Sequence, residues 1–284
     1  MTIFVFILLC LIWGSTWMAI KLGLSDAPPL WAAGIRFLLA VSILYAVVFS
    51  KKYRLPGTFR GFLTLGYPGL YMFGASYALI YFAEQHISSA LTSVLFAAYP
   101  LMIAFLSIWV LSHEKLRRVG WLGLALGLLG IVVISYDSLQ TSSDIFLGTV
   151  LALAGTLAAA WGLVIHKRKF SGENVFVATS VQMTVGGVPL ILAALVFERW
   201  SDFVISPISI GSIVYLTLLG TVVAFVGYYW LLKRITAVRA SLIAFITPLV
   251  AIFIGVIFFS ESLTVLVAIG AVMILSGILL VSRK

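Results

Sequence analysis

Trp13-Gly14-Ser15-Thr16-Trp17 lies in the middle of the first long apolar run, and it has a partner, Trp161-Gly162, 148 positions later in the 284-residue chain. Four further pairs of the same or similar residue type share this offset: Ser93 and Ser241, Pro100 and Pro248, Tyr77 and Phe225, and Tyr81 and Tyr229. A constant offset between chemically matched positions indicates that the chain consists of two copies of one unit.

The composition is that of a protein whose surface faces lipid. The chain is 63% hydrophobic and 10% charged, whereas a soluble domain is about half apolar and a quarter charged. Apolar runs of about 20 residues with almost no charge are typical of transmembrane helices. The sequence therefore predicts an all-α integral membrane protein with ten spans: 3–22, 30–49, 61–83, 89–111, 119–136, 146–166, 174–197, 209–232, 238–259 and 263–281.

The basic residues predict the orientation of these spans. All of the 18 Lys and Arg residues except Lys21, Arg36 and Arg199 fall in alternate connections or at the end of the chain. The positive-inside rule makes those connections cytoplasmic and places both termini in the cytoplasm. Because the bases cluster beside apolar runs, the net charge of +9 indicates juxtamembrane placement, and no nucleic-acid partner is expected.

Each predicted repeat, 1–137 and 145–282, contains five spans, so the second repeat enters the membrane from the opposite side. Inverted repeats are a mark of secondary transporters, whose binding sites lie near the middle of the membrane between the repeats. The predicted partners are a small solute and the lipid bilayer, while the oligomeric state stays open. We find no phosphate-binding loop, HExxH, paired CxxC or acidic metal motif, so neither a metal nor a cofactor is predicted.

Several short motifs resemble the EamA domain of the drug/metabolite transporter superfamily. They are Ile12-Trp13-Gly14-Ser15-Thr16-Trp17, Pro28-Pro29, Gly34-Ile35-Arg36-Phe37, Ala83-Glu84-Gln85, Gly120-Trp121-Leu122-Gly123 and Gly127-Leu128-Leu129-Gly130. The likeness covers the whole chain as two tandem copies, and the second copy is weaker. The resemblance implies ten helices, alternating access and, in many relatives, export of amino acids or related metabolites from the cell through the inner membrane.

The aromatic and hydroxyl residues near the middle of the spans are the candidate substrate contacts. Tyr77 and Tyr81 share one helix face, and Phe225 and Tyr229 repeat the pair, so the two pairs could form an aromatic box for an apolar or cationic group. Packing against neighbouring helices is the alternative explanation. The full predicted set is Trp13, Thr16, Tyr77, Tyr81, Ser93 and Tyr99 from the first repeat, and Trp161, Phe225, Tyr229 and Ser241 from the second.

Arg36 and Glu84 are predicted to form an ion pair near the outer ends of spans 2 and 3. A charge at that depth needs a partner, because a lone ion in the membrane is costly. The pair would serve as an outer gate, Arg36 could anchor a substrate carboxylate, or the pair could be purely structural. His166 and Gln182 lie toward the inner side. His166 could titrate with transported protons, and a histidine at the membrane interface is the alternative explanation.

Pro100 and Pro248 are predicted hinges at the centres of spans 4 and 9. Proline removes a backbone donor and frees a carbonyl, which bends a membrane helix or lines a cavity. A tolerated kink is the alternative.

The sequence favours an exporter of an amino acid or related compound. The rival functions are a multidrug exporter for organic cations and a membrane enzyme acting on a lipid-linked substrate.

Overall fold

A computed structural model describes residues 1–110, 118–235, 240, 243–259 and 264–282, and these residues are helical with no strand. The first repeat contains α1 (Thr2–Gly23), α2 (Pro29–Ser50), α3 (Phe59–Gly66), a π-helical segment (Leu70–Ala75), α4 (Ser76–His86), α5 (Ser89–Phe96), α6 (Tyr99–Val110) and α7 (Arg118–Thr141). Ser241, one of the predicted substrate contacts, lies outside the described residues.

The second repeat contains α8 (Ser143–Phe170), α9 (Val175–Phe197), a short 3₁₀ turn (Trp200–Asp202), α10 (Pro207–Thr217), a second π-helical segment (Leu218–Val223), α11 (Ala224–Leu232), α12 (Ile243–Phe259) and α13 (Val265–Ser282). The predicted fold class, an all-α membrane protein of two five-helix repeats, is confirmed. Six helical runs of 22 to 28 residues are long and apolar enough to cross a membrane, and shorter apolar helices accompany them.

The exterior of the bundle is apolar, as lipid contact requires. Large apolar side chains such as Trp109, Phe197 and Phe253 are more than half exposed. The polar residues instead begin and end the helices. Ser88, Ser142 and Ser206 each accept a hydrogen bond from a backbone N–H of the first turn that follows, which satisfies donors that a helix leaves unpaired at its start.

The two π-helical segments occupy equivalent positions in the two repeats, because Leu70–Ala75 and Leu218–Val223 are also 148 residues apart. A π-helix widens the turn and leaves a carbonyl without its usual intrahelical donor. The carbonyl of Gly220 in the second segment accepts hydrogen bonds from the Trp13 Nε1 and Arg36 Nη2 atoms, both at 3.2 Å. The segment therefore presents a backbone acceptor to two of the predicted site residues.

Glycines allow the repeats to approach closely at the first π-helical segment. A Cβ added to Gly162 on α8 would lie 2.7 Å from the Pro68 carbonyl oxygen and 2.9 Å from the Met72 N atom. A Cβ on Gly69 would overlap the backbone of Gln182 on α9. The chain can thus pack α8 and α9 directly against the backbone of the first repeat, as small residues permit in membranes.

The two predicted hinge prolines have different surroundings. The fourth span is broken at Ala97–Ala98, and Pro100 is the second residue of α6, which starts after the break. Pro248 lies inside the continuous α12. Helical hydrogen bonds still run from Ala97 N to the Ser93 carbonyl and from Met102 N to the Ala98 carbonyl. The first of these two spans is therefore perturbed by a turn and not ended, and whether either proline acts as a hinge stays a prediction.

Candidate functional site

A cavity lies between the two repeats near the middle of the bundle. The centres of water molecules could occupy about 80 Å³ of it, which is room for several waters. Helices of both repeats contribute to the wall, which is mostly aromatic and apolar. The lining residues are Trp13, Thr16, Trp17, Ile20, Arg36, Met72, Ser76, Tyr77, Ile80, Phe96, Tyr99, Ala159, Phe225, Tyr228, Ala240, Ile243 and Thr247.

The aromatic rings of the wall contact one another. Trp13 packs edge to face, 5.2 Å from Phe225 and 5.1 Å from Tyr228 between ring centres. Phe96 is tilted against Trp17 at 5.1 Å and stacks on Tyr99 at 5.2 Å. Such ring pairs hold the side chains in fixed orientations. The wall is therefore a preformed apolar surface that a flat ligand can contact.

Arg36 is the charged residue of this wall, and its side chain is 1% exposed. Its Nε donates to Thr221 Oγ1 at 2.7 Å, its Nη1 to Tyr81 OH at 3.2 Å and its Nη2 to the Gly220 carbonyl at 3.2 Å. The predicted ion pair with Glu84 is not formed in this structure. The guanidinium instead reaches Tyr81, which lies one turn earlier than Glu84 on α4, and the π-helical segment of the other repeat.

Five of the ten predicted substrate contacts line the cavity: Trp13, Thr16, Tyr77, Tyr99 and Phe225. Three pairs of lining positions are related by the repeat offset, namely Tyr77 and Phe225, Ile80 and Tyr228, and Tyr99 and Thr247. The two halves of the chain therefore contribute equivalent positions to one wall, although the chemistry at those positions differs.

Four predicted contacts lie elsewhere. Tyr81 is bound to Arg36 behind the wall, and Ser93 donates to the Ala90 carbonyl of its own helix at 2.7 Å. Trp161 is half-buried outside the cavity, because the face of α8 that enters the repeat interface carries Gly162. Tyr229 belongs to a separate polar cluster.

That cluster consists of His166, Gln182 and Tyr229. Tyr229 OH donates to Gln182 Oε1 at 2.6 Å, and Gln182 Nε2 donates to His166 Nδ1 at 2.9 Å and to the Leu65 carbonyl at 3.1 Å. The His166 ring stacks on Tyr229 with ring centres 4.4 Å apart. The three side chains are at most 5% exposed, and their bonds satisfy the Gln182 amide, as burial demands.

Sequence reasoning missed Trp17, Ser76, Phe96 and Tyr228 as lining residues. Trp17 lies one turn beyond Trp13, and Ser76 lies beside Tyr77, so helical spacing was a usable signal for both. Tyr228 adjoins a predicted residue but has isoleucine as its repeat partner. Phe96 gave no comparable signal, because phenylalanine is common throughout the apolar runs.

A scan against family models decides the identity of the fold. The model of the EamA-like transporter family matches residues 1–136 and again residues 146–283. This chain belongs to the EamA-like transporter family. The family resemblance predicted from the sequence is thereby confirmed.

Named relatives of this EamA protein are transporters. It is 29% identical over 248 residues to the Escherichia coli K12 protein named uncharacterized inner membrane transporter YedA, covering 87% of this chain and 79% of that one. It is 27% identical over 281 residues to the probable amino-acid metabolite efflux pump of Escherichia coli K12, covering 96% and 91%. One crystal structure matches with a TM-score of 0.72 and 17% identity over 99% of this chain and 97% of the other, which supports the fold.

These findings place the EamA protein among multi-pass membrane transporters and not among enzymes. The prediction that the chain is not an enzyme is confirmed, and the membrane-enzyme alternative is set aside. The family match does not define the transported solute. The chemistry of the cavity wall bears on its identity.

Proposed function

We propose that this EamA protein exports a small organic metabolite, an amino acid or a related compound, from the cytoplasm by alternating access. The protein would lie in the inner membrane with both termini in the cytoplasm, as the distribution of Lys and Arg favours. One relative is named a probable amino-acid metabolite efflux pump, which supports this substrate class.

One observation carries the proposal: the cavity wall is drawn from equivalent positions of both repeats. In a transporter of inverted repeats, substrate binds at the repeat interface and the two halves rock around it. Tyr77 with Phe225 and Tyr99 with Thr247 are such positions. A motion that exchanges the conformations of the repeats would keep these residues around the substrate while access changes sides.

Two polar clusters supply candidate gates above and below the cavity. The first, Arg36 with Tyr81, lies nearer the end that carries Asp26 and Glu198, here called the acidic end. The second, Tyr229 with Gln182 and His166, lies nearer the end that carries Lys167 and Lys233, here called the basic end. Each cluster bonds to the backbone of the other repeat, at Gly220 and at Leu65 respectively. Separation of the repeats at one end would therefore break the bonds of one cluster to the other repeat and spare those of the second cluster.

The acidic end carries further bonds between the repeats. The carboxylate of Glu198 accepts hydrogen bonds from Leu30 N at 2.9 Å and Trp31 N at 3.0 Å, at the start of α2, where the helix dipole favours an anion. The Ser206 hydroxyl donates to the Asp26 carboxylate. The Nδ1 atom of His86 lies 2.6 Å from Oδ1 of Asp144. Opening toward this end would require these contacts to break together.

Counterflow through proteoliposomes tests the proposal. Vesicles preloaded with unlabelled L-amino acids or their deaminated acids should accumulate the matching radiolabelled compound. Trp13→Ala should abolish accumulation, since Trp13 lines the cavity and bonds to Gly220. Trp161→Ala is the matched control and should retain accumulation, because Trp161 is the repeat-related indole outside the cavity. Equal loss in both variants, or no counterflow of any tested acid, would count against the proposal.

A multidrug exporter for organic cations is the second candidate, and the aromatic wall favours it because aromatic faces attract cations. Radiolabelled tetraphenylphosphonium serves as the probe in the same vesicles. Counterflow of this cation that depends on Trp13 would replace the metabolite proposal.

A further inference from the structure

The guanidinium of Arg36 is a buried cation that no carboxylate of the described residues neutralises. Its three hydrogen bonds go to a hydroxyl, a phenol and a carbonyl, all of them neutral. Within the described chain, no Asp or Glu oxygen lies within the 4.0 Å ion-pair distance of Arg36. A charge buried in this way is costly without a counter-ion, so the site favours the arrival of an anion.

The geometry leaves part of the guanidinium available for that anion. Arginine carries five N–H groups, and the Arg36 bonds to Thr221, Tyr81 and Gly220 occupy one on each nitrogen. One N–H on Nη1 and one on Nη2 make none of these bonds, although the Tyr77 hydroxyl also lies beside the guanidinium and would compete with an anion for them. Two neighbouring donors in one plane match the two oxygens of a carboxylate, and Arg36 borders the cavity.

One further donor in the same wall lacks an acceptor. Trp17 Nε1 has no hydrogen-bond partner among the described residues, and its side chain is 7% exposed. The Tyr228 hydroxyl, 2% exposed, makes no hydrogen bond of ordinary geometry and faces that of Tyr99. An indole N–H can only donate, and a phenol can donate. Buried donors without partners are rare in folded proteins, so this wall is suited to a ligand that supplies acceptor oxygens.

The cavity offers no comparable place for a cationic group. No Asp or Glu is present among its described lining residues. The Tyr77 ring of the wall already faces a cation, because Arg36 Cζ lies 4.9 Å from its centre, and the same guanidinium lies 5.6 Å from the centre of the Phe37 ring. An ammonium in the cavity would therefore face a like charge in a medium that screens poorly.

We infer that the substrate binds as an anion: a monocarboxylate with a flat apolar body and no charged amine. Its carboxylate would bind these two N–H groups of Arg36, and its body would lie against Trp13 and Phe225. This inference rests on the proposed export function and selects, within that class, the deaminated acids over the amino acids themselves.

Four ligands with one carbon skeleton test the charge requirement. They are 3-phenylpropanoate, L-phenylalanine, 3-phenylpropan-1-amine and 3-phenylpropanamide, which carry an anionic, zwitterionic, cationic and neutral head. Titration calorimetry on the purified full chain in detergent gives the affinities. The propanoate should bind at least about tenfold more tightly than each of the others, since a hydrogen bond to a charged group is worth about 1.5–3 kcal/mol.

Arg36→Gln removes the cation and should weaken propanoate binding about tenfold to a hundredfold while leaving propanamide binding unchanged. The converse variant, Trp13→Ala, removes apolar contact and should weaken both ligands alike. Tyr81→Phe, which keeps the charge and removes one partner of Arg36, provides a second readout if Arg36→Gln does not fold: propanoate selectivity over the propanamide should persist.

Equal or tighter binding of phenylalanine, the amine or the amide would overturn the inference, and so would propanoate binding that does not change in Arg36→Gln. Binding of none of the four would overturn it as well. The proposed function is judged separately by counterflow of amino acids. A protein that transports phenylalanine but does not prefer the propanoate would retain the proposed function and lose the anion requirement.

Discussion

Tyr81 and Tyr229 occupy equivalent positions in the two repeats. Each hydroxyl forms a hydrogen bond with a polar side chain on the second helix of its own repeat. Tyr81 OH accepts from Arg36 at 3.2 Å, and Tyr229 OH donates to Gln182 at 2.6 Å. The two tyrosines are equivalent in position, but Gln182 lies two residues before the position equivalent to Arg36, and the two contacts differ in charge. The first-repeat cluster contains a cation beside the cavity, while the second contains only neutral groups if His166 accepts from Gln182.

Tyr229→Phe should destabilise the protein by about 1–3 kcal/mol, because it leaves the buried Gln182 Oε1 without its donor. Tyr228→Phe is the matched control: this neighbour is equally buried, but its hydroxyl makes no hydrogen bond of ordinary geometry and faces only that of Tyr99. Its free energy of unfolding should stay within about 0.5 kcal/mol of the parent. Denaturant unfolding in detergent micelles measures both. Equal effects would mean that the Tyr229–Gln182 bond contributes nothing measurable.

Arg36 should couple energetically to Tyr81 and not to Glu84. A double-mutant cycle with Arg36→Gln and Tyr81→Phe should give an interaction energy of about 1 kcal/mol. The cycle with Arg36→Gln and Glu84→Gln should stay within a few tenths of additivity, since the ion pair is not formed here. Unfolding free energies in the absence of ligand provide the measurement. Strong coupling of Arg36 with Glu84 would restore the ion pair predicted from the sequence.

The gate role of Arg36 and Glu84 makes a separate demand, because a gate closes in only part of the cycle. A protein with Arg36→Cys and Glu84→Cys in a Cys10→Ala background, cross-linked, should lose transport if the two positions approach and separate during turnover. Full transport by the cross-linked form would exclude the gate. The uncross-linked double variant is the control for the loss of the charges.

The helices were predictable from the sequence, because the length of an apolar run and the turn residues that bound it are properties of the local sequence. The repeat offset also identified Trp13, Tyr77 and Phe225 as residues of the cavity. It failed for Trp161, since the two copies do not place equivalent indoles in equivalent surroundings. The π-helical segments were not predictable, because a run that is apolar throughout carries no periodicity that marks a wider turn. The partner of Arg36 was mistaken by one helical turn, since Tyr81 and Glu84 share one face of α4.

Gly162→Ala should destabilise the fold more than Gly211→Ala, a substitution at an exposed helical glycine of the same repeat. A Cβ at Gly162 meets backbone at the start of the first π-helical segment, at the Pro68 oxygen and the Met72 nitrogen. A Cβ at Gly211 meets no atom within 4 Å. Overpacking costs about 1–3 kcal/mol, and Gly162→Ala should lie at the upper end. Equal melting temperatures in detergent would contradict this difference.

The proposed topology predicts labelling of single cysteines from opposite faces of the membrane. In a Cys10→Ala background, a cysteine at Lys52 should react with a membrane-impermeant maleimide only after the cytoplasmic side is opened. A cysteine at Asp144 should react in intact cells. Both positions are exposed, so accessibility within the protein is not limiting. Labelling of both from one side would contradict the inverted arrangement of the repeats.

Pro100→Ala and Pro248→Ala should both reduce transport while the folded, inserted fraction holds, but for different structural reasons. Pro248 lies within α12, so alanine restores an intrahelical hydrogen bond and should straighten that helix. Pro100 is the second residue of α6, where a backbone N–H has no intrahelical partner in any case. Pro100→Ala should therefore reduce transport only if the substitution lets α5 and α6 join into one continuous helix through Ala97 and Ala98.

The two cases can be separated by unfolding and transport measured together. Pro248→Ala should raise the free energy of unfolding, because it adds a bond within a formed helix, whereas Pro100→Ala should change it little unless the two helices fuse. Counterflow of the transported acid measures activity, and Pro189→Ala on α9 is a control, since Pro189 also lies inside a helix but has no repeat-related proline. Full counterflow by the Pro100→Ala, Pro248→Ala double variant would show that both prolines are tolerated kinks. Loss of counterflow in the double variant with full activity in the Pro189 control would support a hinge at these two repeat-related positions.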